Sequence, residues 1–423
     1  MPADTPIDRQ TPAAPDAELE ALRAAIAADL PAYLDDLRHL VNIDCGSYTP
    51  DGVNEVGRWT AGFAQLLGAE IELRPDPSGR FGDTVIAIFR GRPGGARVLL
   101  VGHMDTVFDP GTVAQRPFRI DDGVAHGPGV TDMKSGLLAG LYALKAIIAQ
   151  HGGLPLERLT FIANPDEEVG SPTSTAHIRE AAADVDACLV LECARANGDI
   201  VSARKGILDT RLVVHGRAAH AGVEPEKGRN AILEAARLVR DLHALNGRWP
   251  GVSVNVGVIR GGTRPNVVAE RCELEVDVRA ATSDGLDAVA QAVREVAAAT
   301  QLPDTTVEAQ VMVAWRPMEK LARSGRLVEH AQVVAGRLGF SVRDAATGGA
   351  SDANTTSGMG VPSLDGLGPI GGNDHAPAEY LDVDSIVPRT ALLAGLLVTI
   401  ARDAEILGWR ADDPRFDDPR FNA

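Results

Sequence analysis

The sequence predicts an α/β protein with a mostly parallel central sheet and a smaller inserted α+β domain. Up to residue 204, short apolar runs rich in β-branched residues alternate with segments of helical period, which is typical of parallel α/β sheets. From residue 205 the predicted elements follow the order β-α-β-β-α-β, the ferredoxin-like split unit. The chain is therefore predicted to form one discontinuous domain from residues 1–204 and 315–423, interrupted by a second domain at 205–314.

The helices of the first segment are predicted from apolar residues that recur every three to four positions. Leu137, Leu141, Leu144 and Ile148 share one helix face at this spacing. Strands are predicted where apolar, β-branched runs are bounded by turn residues. The predicted helices span 17–42, 53–68 and 134–150, and the predicted strands span 83–90, 97–102, 158–163 and 187–191.

The inserted domain and the last segment are predicted from the same patterns. The inserted domain is expected to contain strands at 206–215, 252–260, 267–279 and 305–313 and helices at 227–245 and 284–300. After it, helices at 320–338 and 384–405 flank a short strand near 361–365. Residues 1–16 and the repeated Asp-Asp-Pro-Arg-Phe at 412–421 are aperiodic, so we expect them to be loose or only peripherally docked.

The composition excludes several classes of partner. A net charge of −17 would repel phosphate backbones and anionic lipid headgroups, so neither nucleic acid nor a membrane is expected as a partner. The four cysteines show no paired metal-binding spacing and are expected to be thiols in a reducing compartment. Since neither a signal-peptide pattern nor a run of about eighteen apolar residues is present, we expect a cytoplasmic location.

Two segments place a candidate metal ligand at a strand end or in a glycine-rich turn, where open α/β sheets bind ligands. His103 ends a predicted strand, and Asp105 could accept the other imidazole N–H and orient the ring. Asp132 lies in a glycine-rich turn that leads into the helix predicted at 134–150. Taken alone, His103 could be a structural histidine and Asp132 a helix cap.

Three more segments carry acids or a histidine in similar settings. Asp166, Glu167 and Glu168 follow a buried strand; adjacent carboxylates there require either a solvated turn or a nearby cation. Glu192 ends an apolar strand, so its carboxylate needs a cation or an arginine as partner. His375 lies in a tight glycine-rich turn far along the chain.

Together these segments supply nitrogen and oxygen ligands without a cysteine. Such ligands suit two borderline-hard divalent ions; zinc is the commonest, and cobalt or manganese can substitute. Two ions about 3.5–4 Å apart need a carboxylate that bridges them, and they generate a hydroxide at neutral pH. A further carboxylate that is not a ligand is then needed to carry the proton.

Five segments of the sequence resemble those of a known family. They are HMDTV at 103–107, GPGVTDMKSG at 127–136, DEEVGS at 166–171, LEC at 191–193 and GGNDHAP at 371–377. The chain is similar to the dinuclear zinc peptidase family of glutamate carboxypeptidase (carboxypeptidase G), acetylornithine deacetylase, succinyl-diaminopimelate desuccinylase and aminoacylase. Within it the glutamate carboxypeptidase branch is the most similar, because HMDTVF, PFR, GPG and AEYLDV recur there.

The resemblance implies a zinc-peptidase catalytic domain and a role for each matching residue. Glu167 would be the general base and acid, and Asp105 would orient His103. Asp132 would bridge two zinc ions. The implied metal ligands are Asp132 together with His103 and Glu192 at one position and with Glu168 and His375 at the other.

The resemblance also implies that the inserted domain is a lid and a dimerisation surface, so a homodimer is expected. His220 would stabilise the oxyanion, and Asn266 and Arg316 would hold the free carboxylate of the substrate. From the residues alone, His220 is more often a turn histidine and Arg316 more often part of an interdomain ion pair. The glycine-rich loop GGASDAN at 348–354 resembles one shared across the family and does not select a substrate.

The predicted function is hydrolysis of an amide bond next to a free carboxylate, in a small peptide or an N-acyl amino acid. An aminoacylase or N-acyl-amino-acid amidohydrolase on the same fold is the alternative. A non-catalytic metal-binding or dimerisation protein is the alternative from another class. A cysteine hydrolase built on Cys45 or Cys193 is disfavoured because neither follows a nucleophile-elbow pattern.

Overall fold

The computed structural model describes residues 16–409, so the expectations for residues 1–15 and for the repeat at 412–421 lie outside it. The chain divides into two compact units. The first runs up to Ser202, includes Lys320–Ala346 and resumes at Ser351; the second comprises Ala203–Glu319 and Thr347–Ala350. The sequence predicts the inserted domain at residues 205–314, and its role as a lid and dimerisation surface stays a prediction.

A six-stranded sheet forms the centre of the first unit. Four neighbouring strands are parallel, and two antiparallel strands extend one edge. The strand Arg97–His103 is central, and its residues Val98–Val101 are fully buried, as expected for a strand covered on both faces. In order across the sheet the strands are Glu70–Arg74, Thr84–Arg90, Arg158–Asn164, Arg97–His103, Ala187–Val190 and Ser363–Leu364. The predicted α/β class with a mostly parallel central sheet is confirmed.

Three long helices of the first unit pack against one another in its core. They are Asp16–Val41, Ser135–His151 and Ile386–Ile400. The last two are apolar around most of their circumference because almost every residue is buried. The other helices of this unit are Pro50–Leu66, Thr112–Gln115, Thr175–Ala182, Ala322–Arg337, Asp352–Gly358 and Ala404–Gly408.

The segment Val383–Ile400 is the one stretch within residues 16–409 whose length and hydropathy would allow it to cross a membrane. In the structure 78% of this segment is buried. Its side chains Leu392, Leu396 and Leu397 belong to the apolar core of the first unit. Burial in a protein core accounts for the same apolar composition.

The second unit is a four-stranded antiparallel sheet with two helices packed on it. The strand order is Ser253–Gly261, Arg271–Ala280, Gly206–His215, Thr306–Trp315. The helices Ala231–His243 and Ser283–Ala298 contribute to one apolar core with the sheet. Asn230 and Thr282 cap these helices by accepting backbone N–H groups. This order and connectivity are those of a ferredoxin-like α+β unit.

Short elements depart most from the sequence-based expectations. A small antiparallel sheet of two- and three-residue strands was not expected, because strands this short carry no measurable period. Helix 384–405 ends at Ile400, and strand 267–279 begins at Arg271. The unexpected strands are Arg119–Asp121, Val124–His126, Gly371–Gly372 and Tyr380–Asp382, together with Glu70–Arg74, Ile200–Arg204 and Asp344–Thr347.

A buried arginine holds together glycine-containing turns of the first unit. Arg389 is 1% exposed and donates from Nε to the Gly368 carbonyl at 3.1 Å. Its two terminal nitrogens donate to the carbonyl oxygens of Gly198 at 2.9 Å and Gly366 at 2.5 Å. Three backbone acceptors from two segments of the first unit, one at Gly198 and one at residues 366–368, therefore depend on one side chain.

We predict that Arg389→Met lowers the free energy of unfolding by about 2 to 4 kcal/mol, because three buried carbonyl groups lose their donor. The matched control is Arg402→Met, since Arg402 is 42% exposed and pairs with Glu18 at the surface. We expect this control to cost less than about 1 kcal/mol. Urea unfolding followed by circular dichroism measures both. Equal stability of the two variants would contradict the role assigned to Arg389.

Candidate metal centre

His103 lies at the end of the central strand and is 1% exposed. Its Nδ1 lies 3.0 Å from the backbone oxygen of Asp105 and 3.3 Å from the Asp105 carboxylate. Its Nε2 points the opposite way and lies 3.0 Å from Oδ1 of Asp132. Because Nδ1 faces acceptors, the N–H of a neutral ring belongs on that side, which leaves Nε2 available as a metal ligand.

Asp105 connects His103 to the turn that carries the two glutamates. Its buried carboxylate accepts a hydrogen bond from Ser47 Oγ at 2.6 Å. It also accepts the backbone N–H groups of Glu167 at 3.2 Å and Glu168 at 3.3 Å. One carboxylate thus fixes the orientation of the imidazole and the position of the glutamate turn together.

Asp132 lies between the two histidines. Its Oδ1 faces Nε2 of His103 at 3.0 Å, and its Oδ2 faces Nε2 of His375 at 3.2 Å. The turn residues Asp132 and Met133 have non-helical φ and ψ, and the peptide bond between them is cis. A carboxylate whose two oxygens face different ligands has the arrangement required to bridge two cations.

His375 is presented by a loop with unusual backbone conformation. Its φ is 62°, and that of Asn373 is 56°. Such left-handed values are uncommon for residues other than glycine and tend to occur at functional sites. The ring Nε2 of His375 also lies 3.0 Å from Oε2 of Glu168, so this loop brings the imidazole between two carboxylates.

Glu192 and Glu167 complete the cluster on the side of His103. Oε1 of Glu192 lies 3.7 Å from His103 Nε2, and Glu192 is 8% exposed. The backbone N–H of Gly368 donates to the Glu192 carbonyl at 2.8 Å. A Cβ on Gly368 would lie 2.8 Å from the Leu191 carbonyl oxygen, so glycine is required for this close approach.

The donor atoms are close enough to hold metal ions. Those of His103, Asp132 and Glu168 lie within 4.8 Å of one another, as do those of His103, Glu167 and Glu192. All are nitrogen or carboxylate oxygen atoms, which suits a divalent ion such as zinc. The donor set therefore fits the metal centre that the sequence predicts. All five predicted ligands, together with Glu167 and Asp105, lie in one cluster of the first unit.

The pKa shifts of the two histidines indicate that the cluster favours positive charge. Burial alone would lower the pKa of His103, but its hydrogen bonds to Asp105 and Asp132 raise the pKa well above its usual value. Hydrogen bonds to Asp132 and Glu168 raise the pKa of His375 to about 10. Both shifts indicate that the neighbouring carboxylates favour positive charge at the imidazoles, which is charge that metal ions would supply.

Burial affects Glu167 in the opposite direction to the histidines, because it raises the pKa of a carboxyl group and lowers that of an imidazole. Burial raises the pKa of its carboxyl well above the usual value; His103 opposes this rise, and Glu192 adds to it. A carboxyl group with a raised pKa is suited to accept and return a proton near neutral pH. These features distinguish Glu167 from Asp132, whose two hydrogen bonds with histidine lower its pKa against the effect of burial.

The three residues expected to contact substrate lie on the surface of the second unit. His220 and Asn266 are neighbours: the N–H of Ala221 donates to the Asn266 carbonyl at 3.0 Å, and His220 forms a β-bridge with Val267. Arg316 is exposed and pairs with Asp287 at 2.6 Å, both within this unit. Substrate roles for all three stay predictions.

Three supporting residues were not identified from the sequence. Ser47 donates to Asp105. Buried Glu379 accepts three backbone N–H groups of the turn before and at Asp132. Asp352 accepts from Asn164 and Ser171, the two ends of the segment that carries Glu167 and Glu168. Glu379 and Asp352 lie in the segments AEYLDV and GGASDAN, which resemble the family, but their supporting role is evident only from their contacts.

Curated relatives resemble this chain over most of its length. Carboxypeptidase G2 of Pseudomonas sp. (strain RS-16) is 31% identical over 381 residues, which are 88% of this chain and 90% of the relative. A succinyl-diaminopimelate desuccinylase of Leptothrix cholodnii is 28% identical over 372 residues, 81% of this chain and 92% of the relative. Both names belong to the enzymes that the sequence motifs resemble.

Solved structures share the fold. A tripeptidase from Staphylococcus aureus superposes with a TM-score of 0.73 at 21% identity, covering 88% of this chain and 99% of the tripeptidase. The model of peptidase family M20/M25/M40 matches residues 99–399, a span that contains every residue of the candidate metal centre except Ser47. The chain therefore belongs to peptidase family M20/M25/M40, a family of metal-dependent hydrolases.

Proposed function

We propose that this enzyme hydrolyses an amide bond next to a free carboxylate by means of two zinc ions held in the candidate metal centre. The observation that carries the proposal is the position of Asp132, whose two carboxylate oxygens face His103 and His375 at 3.0 and 3.2 Å. Few arrangements other than a shared cation make such a cluster of buried and half-buried acids stable.

We divide the ligands between two metal ions according to which side chains lie next to each other. We assign His103 and Glu192 to one ion and Glu168 and His375 to the other, with Asp132 between them. The short distances from His103 to Glu192 and from His375 to Glu168 support this division. We assign to Asp105 the role of orienting the His103 ring. Cobalt or manganese could replace zinc at such nitrogen and oxygen ligands.

Glu167 is proposed to move the proton. When bound, the two ions would polarise the substrate carbonyl and lower the pKa of water. Glu167 takes the proton from the attacking water and returns it to the leaving amine, so it acts first as a base and then as an acid. Its half-buried carboxyl with a raised pKa supports this role, as does its backbone N–H, which Asp105 fixes.

The second unit is proposed to act as a lid and to mediate a homodimer. His220 is assigned the stabilisation of the oxyanion, and Asn266 and Arg316 the binding of the substrate carboxylate. The planar guanidinium of Arg316 suits a carboxylate, although in the structure it pairs with Asp287. A cytoplasmic location, without nucleic acid or membrane as partner, remains our expectation.

Two substrate classes remain to be separated. The 31% identity with carboxypeptidase G2 favours a carboxypeptidase activity, and the motif resemblance to glutamate carboxypeptidase favours a carboxy-terminal glutamate. The relatives named acetylornithine deacetylase and succinyl-diaminopimelate desuccinylase favour an N-acyl amino acid. We propose the first as the main activity and keep the aminoacylase type as the second candidate.

We predict that Glu167→Gln lowers kcat about 10²- to 10⁴-fold while two zinc ions remain bound, because the variant loses the proton carrier and keeps the ligands. Steady-state kinetics and elemental mass spectrometry of the same preparation measure both quantities. The exposed residue Glu180 provides a matched control, and Glu180→Gln should leave kcat unchanged. Unchanged kcat in Glu167→Gln would end the assignment.

We predict that removal of metal by a chelator abolishes hydrolysis and that zinc restores it, with two ions per chain at full recovery. The reason is that the carboxylate cluster cannot polarise a carbonyl without a cation. Titration of the metal-free protein with zinc, followed by activity, measures this. Protein that binds two ions and cleaves no amide would instead favour the non-catalytic alternative, whereas one that binds no metal would contradict the proposal.

We predict that peptides with a carboxy-terminal glutamate and N-acyl-glutamates have a higher kcat/KM than N-acetylated neutral amino acids or dipeptides without glutamate. Cleavage of each compound by the same zinc-loaded preparation, read by mass spectrometry, gives the ranking. A substrate whose carboxylate is replaced by an amide is the control and should be poor, since the carboxylate-binding groups are left unpaired. A preference for N-acetylated amino acids would select the aminoacylase type.

A further inference from the structure

The geometry points to Glu379 as the positioning residue of Asp132: we infer that its carboxylate holds the turn 129–132 in the conformation that metal binding requires. The inference rests on the proposed role of Asp132 as a metal ligand. Glu379 is not itself assigned as a ligand.

The carboxylate of Glu379 accepts its hydrogen bonds from the backbone of the turn. Oε2 accepts the N–H of Gly129 at 2.9 Å. Oε1 accepts the N–H of Thr131 at 2.9 Å and that of Asp132 at 3.1 Å. Glu379 is 1% exposed, so these bonds are shielded from water. Three backbone donors of one four-residue turn thus converge on a single buried carboxylate.

These bonds are needed because the turn is irregular. Gly129 has a φ of 72°, and the residues Asp132 and Met133 are non-helical. The N–H groups of such a turn cannot all be satisfied by regular backbone partners, and a buried N–H without an acceptor costs about 1–3 kcal/mol. A carboxylate provides enough lone pairs for all three donors, whereas a neutral side chain provides fewer.

Glu379 also links Asp132 to His375, although 243 residues separate these two in the sequence. Glu379 lies four residues after His375, and the next residue, Tyr380, pairs with His126 in the small antiparallel sheet. The N–H of Glu379 donates to the Ala376 carbonyl at 3.0 Å, which closes the turn that directly follows His375. One residue therefore fixes the distance between two groups whose nitrogen and oxygen atoms lie 3.2 Å apart.

Two substitutions separate hydrogen bonding from charge. Glu379→Gln keeps the size of the side chain, but its amide nitrogen is a donor and cannot accept the N–H that it faces. Glu379→Asp keeps the charge but is one methylene shorter and cannot reach all three N–H groups. If the hydrogen bonds position Asp132, both variants should be impaired.

We expect both variants to bind zinc about 10- to 100-fold more weakly than wild type, as substitutions of groups that orient metal ligands do. Zinc affinity is measured by competition with a chromophoric chelator. We also expect kcat to fall while KM is unchanged, because substrate contacts remain. In the cobalt-substituted protein, the visible absorption bands should shift in both variants, which reports altered coordination directly.

The matched control is Glu234→Gln in the second unit. Glu234 is 2% exposed and, like Glu379, accepts backbone N–H groups, those of Gln301 at 3.2 Å and Leu302 at 2.9 Å. This control should lower the melting temperature but leave zinc affinity and the cobalt spectrum unchanged. It separates loss of a buried carboxylate in general from loss of the turn that carries Asp132.

Tight zinc binding by the wild type, together with wild-type affinity in either Glu379 variant, would overturn the inference and leave the proposed function intact. Failure of the wild type to bind zinc would overturn both. If neither variant folds, hydrogen exchange of the metal-free wild type decides: the amides of Gly129, Thr131 and Asp132 should be protected, and fast exchange at these positions would overturn the inference.

Discussion

The structure depends on a cluster of acids and imidazoles that cannot lie together without positive charge. Asp132, Glu168, Glu192 and Glu167 converge with two histidines at one end of the central sheet; Glu192 and His103 are buried, the other three acids are half-buried, and His375 is exposed. Coulomb repulsion between carboxylates a few ångströms apart in a partly desolvated site is large, so the native fold is tolerable only when protons or cations neutralise it. Hydrogen bonds to carboxylates raise the pKa of His103 and of His375, and burial raises the pKa of Glu167.

Hydrogen bonds to three supporting residues help to hold the cluster in position. Asp105 fixes the His103 ring and the glutamate turn, Glu379 holds the turn of Asp132, and Asp352 joins the two ends of residues 164–171. Each support is a buried carboxylate that accepts hydrogen bonds from a neighbouring segment. Acceptors of this kind add further negative charge around the ligands, so the supports strengthen the demand for cations while they restrict the motion of the ligands.

The sequence predicts the long elements, and the residues that it assigns as metal ligands lie close together, for a physical reason. The helix at 134–150 and the strand at 97–102 carry enough apolar residues to define a period, and they are found at Ser135–His151 and Arg97–His103. The strands of residues 119–126 and 371–382 are too short for that. Among the site residues, acids at strand ends are recognisable because burial without a partner is costly. Ser47 and Glu379 are not, because their roles exist only through contacts with residues 58 and 250 positions away.

A tightly packed framework in the first unit supports the crowded carboxylates. Residues Val98–Val101 of the central strand are fully buried. Arg389, on the helix Ile386–Ile400, donates hydrogen bonds to three glycine carbonyl groups. This rigid support compensates for the conformational and electrostatic cost of the left-handed His375 and the crowded carboxylates. Cations that bind the folded site and not the unfolded chain relieve that repulsion, so metal binding and folding stability are coupled by mass action. An arrangement that is unfavourable without metal is therefore also one that binds metal tightly, because the repulsion present in the metal-free protein adds to the free energy gained when the ions enter.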